Sequence, residues 1–221
     1  MSARPFTLDR YAELLDAAIA GGYVFRGFLD GDPRPGDLFL RHDVDMSLSA
    51  ALVMAEIEHE REISATYFLM TESVFYNLAS PVGRAALDRL HALGHTVGHH
   101  GVWPAAEPTL AVEFEPVLAW HTPEQHYMSE PVTGWTNVMD ARFTGDFTMT
   151  YRSDSNQNWR RGDPLEDLRG GRFPWLQLLI HPELWVFDGA TITQTMDAFL
   201  DEDRRERRLR LLEERIELDD S

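Results

Sequence analysis

Hydrophobic and polar positions along the first half of the chain switch between a helical and an extended period. Residues 7–20 place apolar side chains three and four positions apart, which predicts a helix. Short apolar runs then predict strands at "YVFRGF", "LFLRHDVD", "SATYFLM" and "HTVGHHG". Helical periods over residues 48–61 and 81–93 separate the last three strands. Strands that alternate with helices pair in parallel through right-handed crossovers, so the pattern predicts a parallel α/β fold.

The second half of the chain is less regular. Three further strands are predicted at "VEFEPVLAWHTP", "DFTMTYRSDS" and "WLQLLIHPEL". We therefore expect one α/β domain over residues 1–190. Residues 191–221 predict a charged C-terminal helix whose charges alternate in sign. Its apolar side, Leu209, Leu212 and Ile216, would dock on the domain or on a second subunit as a homodimer contact.

Composition removes several classes of chemistry. The formal net charge is −17, which argues against a nucleic-acid partner. All twenty basic residues are Arg, and Cys is absent, so lysine Schiff bases, a P-loop lysine and thiolate chemistry are excluded. The chain has no apolar run long enough for a membrane span, and its N terminus lacks the order of a secretory signal. A cytoplasmic location is therefore expected.

Ionisable side chains collect where predicted strands end. The carboxyl ends of parallel strands share one edge of a sheet, and strand alternation sends Asp43 and Asp45 to the same side. Each group alone is commonly a cap or a packed, hydrogen-bonded side chain, and we assign His42 and His95 to that structural class. Together the groups predict a carboxylate and imidazole site for Zn²⁺ or another first-row divalent cation. The ionisable side chains near the predicted strand ends, including the two assigned to the structural class, are His42, Asp43, Asp45, His95, His99, His100, His121 and His181.

Four stretches of the chain resemble the polysaccharide deacetylase-like proteins of the NodB-homology, carbohydrate esterase 4 group, and more narrowly an uncharacterised cytoplasmic branch of it. They are "LRHDVDMSLSAALVMAEIEHEREISATYFLM", "LHALGHTVGHHG", "RSDSNQNWR" and "LQLLIHPELW", within residues 38–185. The resemblance implies a distorted, incomplete (β/α) barrel with fewer than eight repeats. It also implies metal-dependent hydrolysis of an N-acetyl or related acyl group.

The same resemblance implies roles for individual residues. Asp43 matches the general base, and Asp45 and His100 match metal ligands. His181 matches the acid that protonates the leaving amine, and Asp154 matches the residue that orients a partner. The expected walls of the substrate pocket are Trp159, Trp103 and Arg152.

The chain departs from the family at two positions. Pro104 stands where the family has its second histidine ligand, and proline cannot bind a metal. The family's next motif carries an arginine that holds the base, and the matching stretch here offers His121 and Thr122. We expect His121 to be the replacement ligand, with His99 as a weaker alternative because neighbouring strand residues face opposite sides.

The preferred interpretation is a hydrolase that uses a divalent cation, Zn²⁺ first and Co²⁺, Ni²⁺ or Mn²⁺ as alternatives. Its expected substrate is a small N-acylated sugar or related amide. One alternative is a non-catalytic barrel that serves as a sugar-binding or assembly module without a full metal site. Another is a metallohydrolase with different chemistry on the same frame, because a fold does not fix a reaction.

Overall fold

The structure, a computed structural model of the chain, describes residues 6–102, 112–124, 128–145, 147 and 149–214. Every pair of neighbouring strands in its sheet is parallel, in the order β6-β5-β4-β3-β2-β8-β7, with β1 beside the start of β2. The strands are β1 (Val24–Phe25), β2 (Asp37–Val44), β3 (Thr66–Leu69), β4 (Thr96–Val102), β5 (Val117–His121), β6 (Thr136–Asn137), β7 (Tyr151–Ser153) and β8 (Leu176–Ile180). Within the described ranges β6 and β7 are edges that do not pair with each other. The predicted distorted, incomplete (β/α) barrel is confirmed.

Helices surround this sheet. They are α1 (Leu8–Ala20), α2 (Leu48–His59), α3 (Pro81–Ala92), α4 (Ala141–Thr144), α5 (Leu165–Arg169), α6 (Glu183–Val186) and α7 (Ile192–Glu213). Thr7, Ser47 and Ser80 cap the first three, because each hydroxyl accepts a backbone N–H of the first turn. Helices α4 to α6 were not predicted, since segments of four or five residues show no helical period. The strand predicted at "YVFRGF" is reduced to two residues.

Strand β2 is buried on both faces. Because successive side chains of a strand point to opposite faces, every second side chain of β2 lies inside the barrel. Leu38 and Leu40 pack outwards in a cluster that contains Leu14 of α1. Phe39 packs inwards on Phe28, with ring centroids 5.1 Å apart. The inward, odd-numbered face continues along the strand towards its carboxyl end, where the ionisable residues stand.

A polar network joins the outer face of the sheet to the helices. Glu58 of α2 is fully buried, and its Oε1 lies 2.7 Å from Nε2 of His42. The hydroxyls of Tyr11 and Tyr67 donate to the same carboxylate. Burial alone would raise the pKa of Glu58, but His42, His95 and the Tyr11 hydroxyl lower it below its ordinary value. His95 donates to the carbonyl of Ala55, so His42 and His95 both have structural partners, in line with the class predicted for them.

The structure contains the predicted charged C-terminal helix over Ile192–Glu213, and residues 215–221 lie outside the described part. α7 packs on the body through Thr195 and Phe199, and the Phe199 ring lies 5.4 Å from those of Phe75 and Phe187. Leu209 and Leu212, near its end, are about half exposed at 54% and 50%. Ile216 lies outside the described residues, and a domain boundary at residue 190 stays a prediction. Among the helices described, none combines the length and apolar character needed to cross a bilayer.

Candidate metal centre

Three side chains from three strands converge at the carboxyl edge of the sheet. Asp45 follows the last residue of β2, His100 lies near the end of β4, and His121 ends β5. Oδ1 of Asp45 is 3.1 Å from Nε2 of His100 and 3.2 Å from Nδ1 of His121. The two imidazole nitrogens are 3.2 Å apart. Three donor atoms therefore form a nearly equilateral triangle around one point.

This triangle fits a divalent cation. Zn–N and Zn–O bonds of about 2.0–2.2 Å place the ligand atoms of a tetrahedral site about 3.3–3.6 Å apart. The observed separations of 3.1–3.2 Å are slightly shorter and close to that range. Oδ1 of Asp45 is buried and, despite its two close nitrogens, has no partner in hydrogen-bond geometry. A shared cation would satisfy that oxygen. Two histidines and one carboxylate, with a further position open, is a donor set found in catalytic zinc sites.

The neighbouring strand fixes the orientation of His100. Nδ1 of His100 lies 3.0 Å from the carbonyl oxygen of Ala119, its register partner in β5. A carbonyl only accepts, so Nδ1 carries the hydrogen and the lone pair of Nε2 faces Asp45. The β4–β5 pairing thus fixes the ring of His100 in an orientation that suits metal binding through Nε2.

His121 sits in a less regular place. Its side chain is 29% exposed, and Thr122 after it has φ 43°, a left-handed conformation unusual for a β-branched residue. Contact with Asp45 raises the pKa of His121, and burial opposes that rise. Burial alone would raise the pKa of Asp45, but the nearby imidazoles of His100 and His121 hold it well below its usual range. The carboxylate is thus ionised and available to a cation.

Asp43 lies beside the triangle but is bound by another residue. Nε and Nη2 of Arg41 donate to its two carboxylate oxygens at 2.7 and 2.6 Å, and both side chains are buried. Burial alone would raise the pKa of Asp43, but the charge and hydrogen bonds of Arg41, together with the nearby His100 and His181, lower it below its ordinary value. Oδ2 of Asp43 is 3.6 Å from Nε2 of His100. An ionised carboxylate is therefore available next to the metal donors.

A protonated imidazole faces the triangle from β8. Nδ1 of His181 lies 2.6 Å from Oδ1 of Asp154, and its Nε2 is 4.0 Å from Oδ2 of Asp45. Asp154 is held in turn, since the backbone N–H of His181 and the indole of Trp185 donate to its Oδ2. Burial alone would lower the pKa of His181, but the charge of Asp154 raises it to about 10. Both ring nitrogens then carry protons at neutral pH.

Other predicted site residues lie elsewhere or outside the described part. Trp159 stacks on Phe6 at 5.8 Å, in the apolar cluster that also holds Trp185. Arg152 lies over the ring of Phe173 at 4.8 Å. Their pocket roles stay predictions, and Trp103 and Pro104 fall outside the described residues.

His99, the weaker ligand candidate, is not part of the triangle. Its ring centroid lies 5.3 Å from that of Phe114 and 5.8 Å from that of Trp135, in aromatic surroundings. Burial lowers its pKa to about 4. His99 therefore stays neutral at physiological pH, and His100 supplies the β4 donor.

Three residues around the site were missed by the sequence interpretation. Arg41 could have been found, because strand alternation places positions 41, 43 and 45 on one face. Trp185 had no signal beyond its place four residues after His181. Glu183 is buried with an Oε2 that has no hydrogen-bond partner, and burial raises its pKa to about 8.

A cavity of about 830 Å³ is lined mainly by residues of α2, α3 and α7 and of the loops before α2 and α3. Met46, which follows Asp45, lines it, as does Ser73, whose hydroxyl donates to the carbonyl of Asp45 at 3.3 Å. Phe187 and Phe199 contribute an apolar wall. The metal donors are not among its lining residues.

No protein-family model and no curated protein matches the chain. A chitin deacetylase from the fungal pathogen Colletotrichum lindemuthianum is similar in structure, with 15% identity, a TM-score of 0.40, and coverage of 83% of this chain and 87% of that one. A Bdellovibrio bacteriovorus peptidoglycan deacetylase has 16% identity and a TM-score of 0.38, covering 85% of this chain and 54% of that one.

A CE4 family pseudoenzyme from Bacillus anthracis has 15% identity and a TM-score of 0.36, covering 76% of this chain and 60% of that one. The chain thus spans little more than half the length of two of these three proteins. These proteins belong to the carbohydrate esterase 4 group that the sequence motifs resemble. At this distance the likeness assigns no activity, so the chemistry of this chain has to follow from its own side chains.

Proposed function

We propose that this protein is a metal-dependent hydrolase that removes an acetyl or similar acyl group from the nitrogen of an N-acylated sugar or small amide. One observation carries the proposal. The carboxylate of Asp43 lies 3.6 Å from Nε2 of His100, and Nε2 of His181 lies 4.0 Å from Oδ2 of Asp45, so both groups flank the triangle of metal donors. Asp45, His100 and His121 would hold the cation, Zn²⁺ first, with Co²⁺, Ni²⁺ or Mn²⁺ as alternatives.

The chain's own groups account for the proton transfers of amide hydrolysis. When bound, the cation would polarise the acyl carbonyl and acidify a water molecule. Asp43 accepts a proton from the attacking water as its oxygen bonds to the acyl carbon. His181 donates the proton on Nε2 to the nitrogen as the carbon–nitrogen bond breaks, releasing an amine and a carboxylic acid. Transfer of the proton from Asp43 back to His181 restores the starting state.

The substrate class and the cellular setting are parts of the same proposal. The family resemblance of the motifs favours an acylated amino sugar, and the net charge of −17 favours a neutral or cationic substrate over a polyanion. A cytoplasmic location stays a prediction.

We further propose that the end of α7 contacts a second copy of the chain. Leu209 and Leu212 are half exposed. The acidic run 201–203 precedes an Arg-rich run over 204–210, so an antiparallel copy of the helix would pair opposite charges. A Leu209→Glu, Leu212→Glu double variant should be monomeric by light scattering where the unmodified chain is dimeric. A monomeric unmodified chain rejects this contact.

The function is tested by metal analysis and by hydrolysis of small N-acetylated sugars. Asp43→Asn should keep the metal and lose about 10²–10⁴-fold in turnover, the usual contribution of a general base. Asp37→Asn is a matched control at the other end of β2, because Asn still accepts the N–H of Arg34. If Asp43→Asn loses the metal instead, the roles of the two aspartates are exchanged. A purified protein without a divalent cation, and without stabilisation by added Zn²⁺, Co²⁺ or Ni²⁺, contradicts the hydrolase and favours a non-catalytic module.

A further inference from the structure

Two aspartates lie close to the same ligand nitrogen, yet their surroundings differ. Nε2 of His100 is 3.1 Å from Asp45 and 3.6 Å from Asp43. Distance alone does not separate a metal ligand from a free base, since a small side-chain rotation would bring either carboxylate to a cation. What differs is the number of hydrogen bonds that each carboxylate already accepts.

We propose that Arg41, backed by Gln177, keeps Asp43 off the metal and thereby assigns the roles of the two aspartates. This inference rests on the proposed function only where Asp43 is called the base. Its structural claim is that Asp45, and not Asp43, binds the metal. Both oxygens of Asp43 accept from Arg41, whereas Oδ1 of Asp45 has no hydrogen-bond partner. Arg41 is thus a positioning residue.

The Arg41–Asp43 pair is well suited to hold a carboxylate in one plane. Two parallel N–H donors on adjacent guanidinium nitrogens fix the orientation of the carboxylate, which one ammonium group cannot do. The side chain of Arg41 is 1% exposed and its Cζ lies 5.5 Å from the centroid of the Phe68 ring. Without water as a competing partner, release of Asp43 towards a cation would leave a buried guanidinium uncompensated, which is strongly unfavourable.

Gln177 of β8 holds Arg41 from the opposite side. Its Oε1 accepts from Nη1 of Arg41 at 3.3 Å. Its amide nitrogen donates to the carbonyls of Val138 and Phe143 at 2.8 and 3.3 Å. Because those carbonyls only accept, the amide group can present only its oxygen to Arg41. A fully buried chain of contacts therefore runs from the backbone of 138 and 143 to the base.

The experiment uses Co²⁺ in place of the native cation, because its visible absorption reports the number of ligands and needs no substrate. In Arg41→Gln the freed Asp43 should join the metal, so the Co²⁺ band weakens and shifts as coordination rises, and cation affinity increases. The double variant Arg41→Gln, Asp43→Asn should return to the unmodified spectrum. Arg89→Gln, which removes an exposed partner of Glu56, is the matched control and should change nothing.

Two outcomes overturn the inference. One is an Arg41→Gln protein that binds Co²⁺ with an unchanged spectrum. The other needs no Arg41 variant and so stands even if that variant fails to fold: a changed spectrum in Asp43→Asn would show that Asp43 is already a ligand. Failure of the proposed function can be distinguished from failure of this inference. If the protein hydrolyses no amide but shows the predicted Co²⁺ spectra, the proposed function is rejected and the role of Arg41 is retained.

Discussion

Nδ1 of His181 lies 2.6 Å from Oδ1 of Asp154, and this contact sets the protonation state of the imidazole. The carboxylate that faces His181 is itself fully buried and accepts two further N–H groups, one of them from the indole of Trp185. A rigid, charged partner of this kind stabilises the imidazolium form. The pair therefore offers a general acid that stays protonated well above neutral pH.

Asp154→Asn tests this acid. Removing the negative charge should bring the pKa of His181 from about 10 down towards its ordinary value of 6.5. Since the protonated form is the active acid, the alkaline limit of turnover should move to lower pH, and the smaller protonated fraction alone should lower turnover at pH 7 about 4-fold. The pH profile of kcat measures both effects. An alkaline limit that stays in place would show that His181 is not the acid.

His121→Ala tests the third ligand. Changes to residues that only support a ligand cost about 10–100-fold in metal affinity, so loss of a direct ligand should cost more than about 100-fold. Titration calorimetry with Zn²⁺ measures the affinity without any substrate. His91→Ala is the matched control, because His91 is exposed and its nearest acidic partner, Glu115, lies 3.6 Å away. Equal affinities in the two variants would leave His121 outside the metal site.

Glu58→Gln tests the network on the outer face of the sheet. Loss of the buried charge should destabilise the fold by about 3 kcal/mol, because His42 would remain buried without its anion. Glu56→Gln, two positions away and exposed, should cost less than about 1 kcal/mol. Because the folded pKa of Glu58 is lowered, its contribution is present above the ordinary carboxyl value and is lost as the pH falls. Urea unfolding at pH 7 and at pH 4 should therefore show the two variants converging under acidic conditions.

Glu183→Gln should have the opposite pH dependence. Burial raises the pKa of Glu183 to about 8, so the folded state binds its proton more tightly than the unfolded state does. Stability is therefore lost as the pH rises from the ordinary carboxyl value towards 8. A Gln in this place never ionises, so the variant should be more stable than the unmodified chain at pH 9 and similar to it near pH 4. Parallel curves of Tm against pH would contradict this assignment.

The regular first half of the chain explains why the sequence predicts so much of the fold. Strand alternation correctly placed Asp43 and Asp45 on one side, since it needs only the period of a strand. It could not say that Arg41 binds Asp43 and not Asp45, because that choice depends on the side-chain conformations of these residues. The contact of His100 with Ala119 depends on the register between two strands, which local sequence does not encode. The position of Trp159 could not be read from local sequence either. Its ring packs on Phe6 and lies next to Trp185, and both contacts join distant parts of the chain.

The open barrel has a consequence for how the protein behaves at high concentration. Its two outermost strands, β6 and β7, are only two and three residues long. An outer strand of that length presents few free N–H and C=O groups to a neighbouring molecule. Within the described residues, the sheet therefore stays open between β6 and β7 without creating a long template for fibre growth.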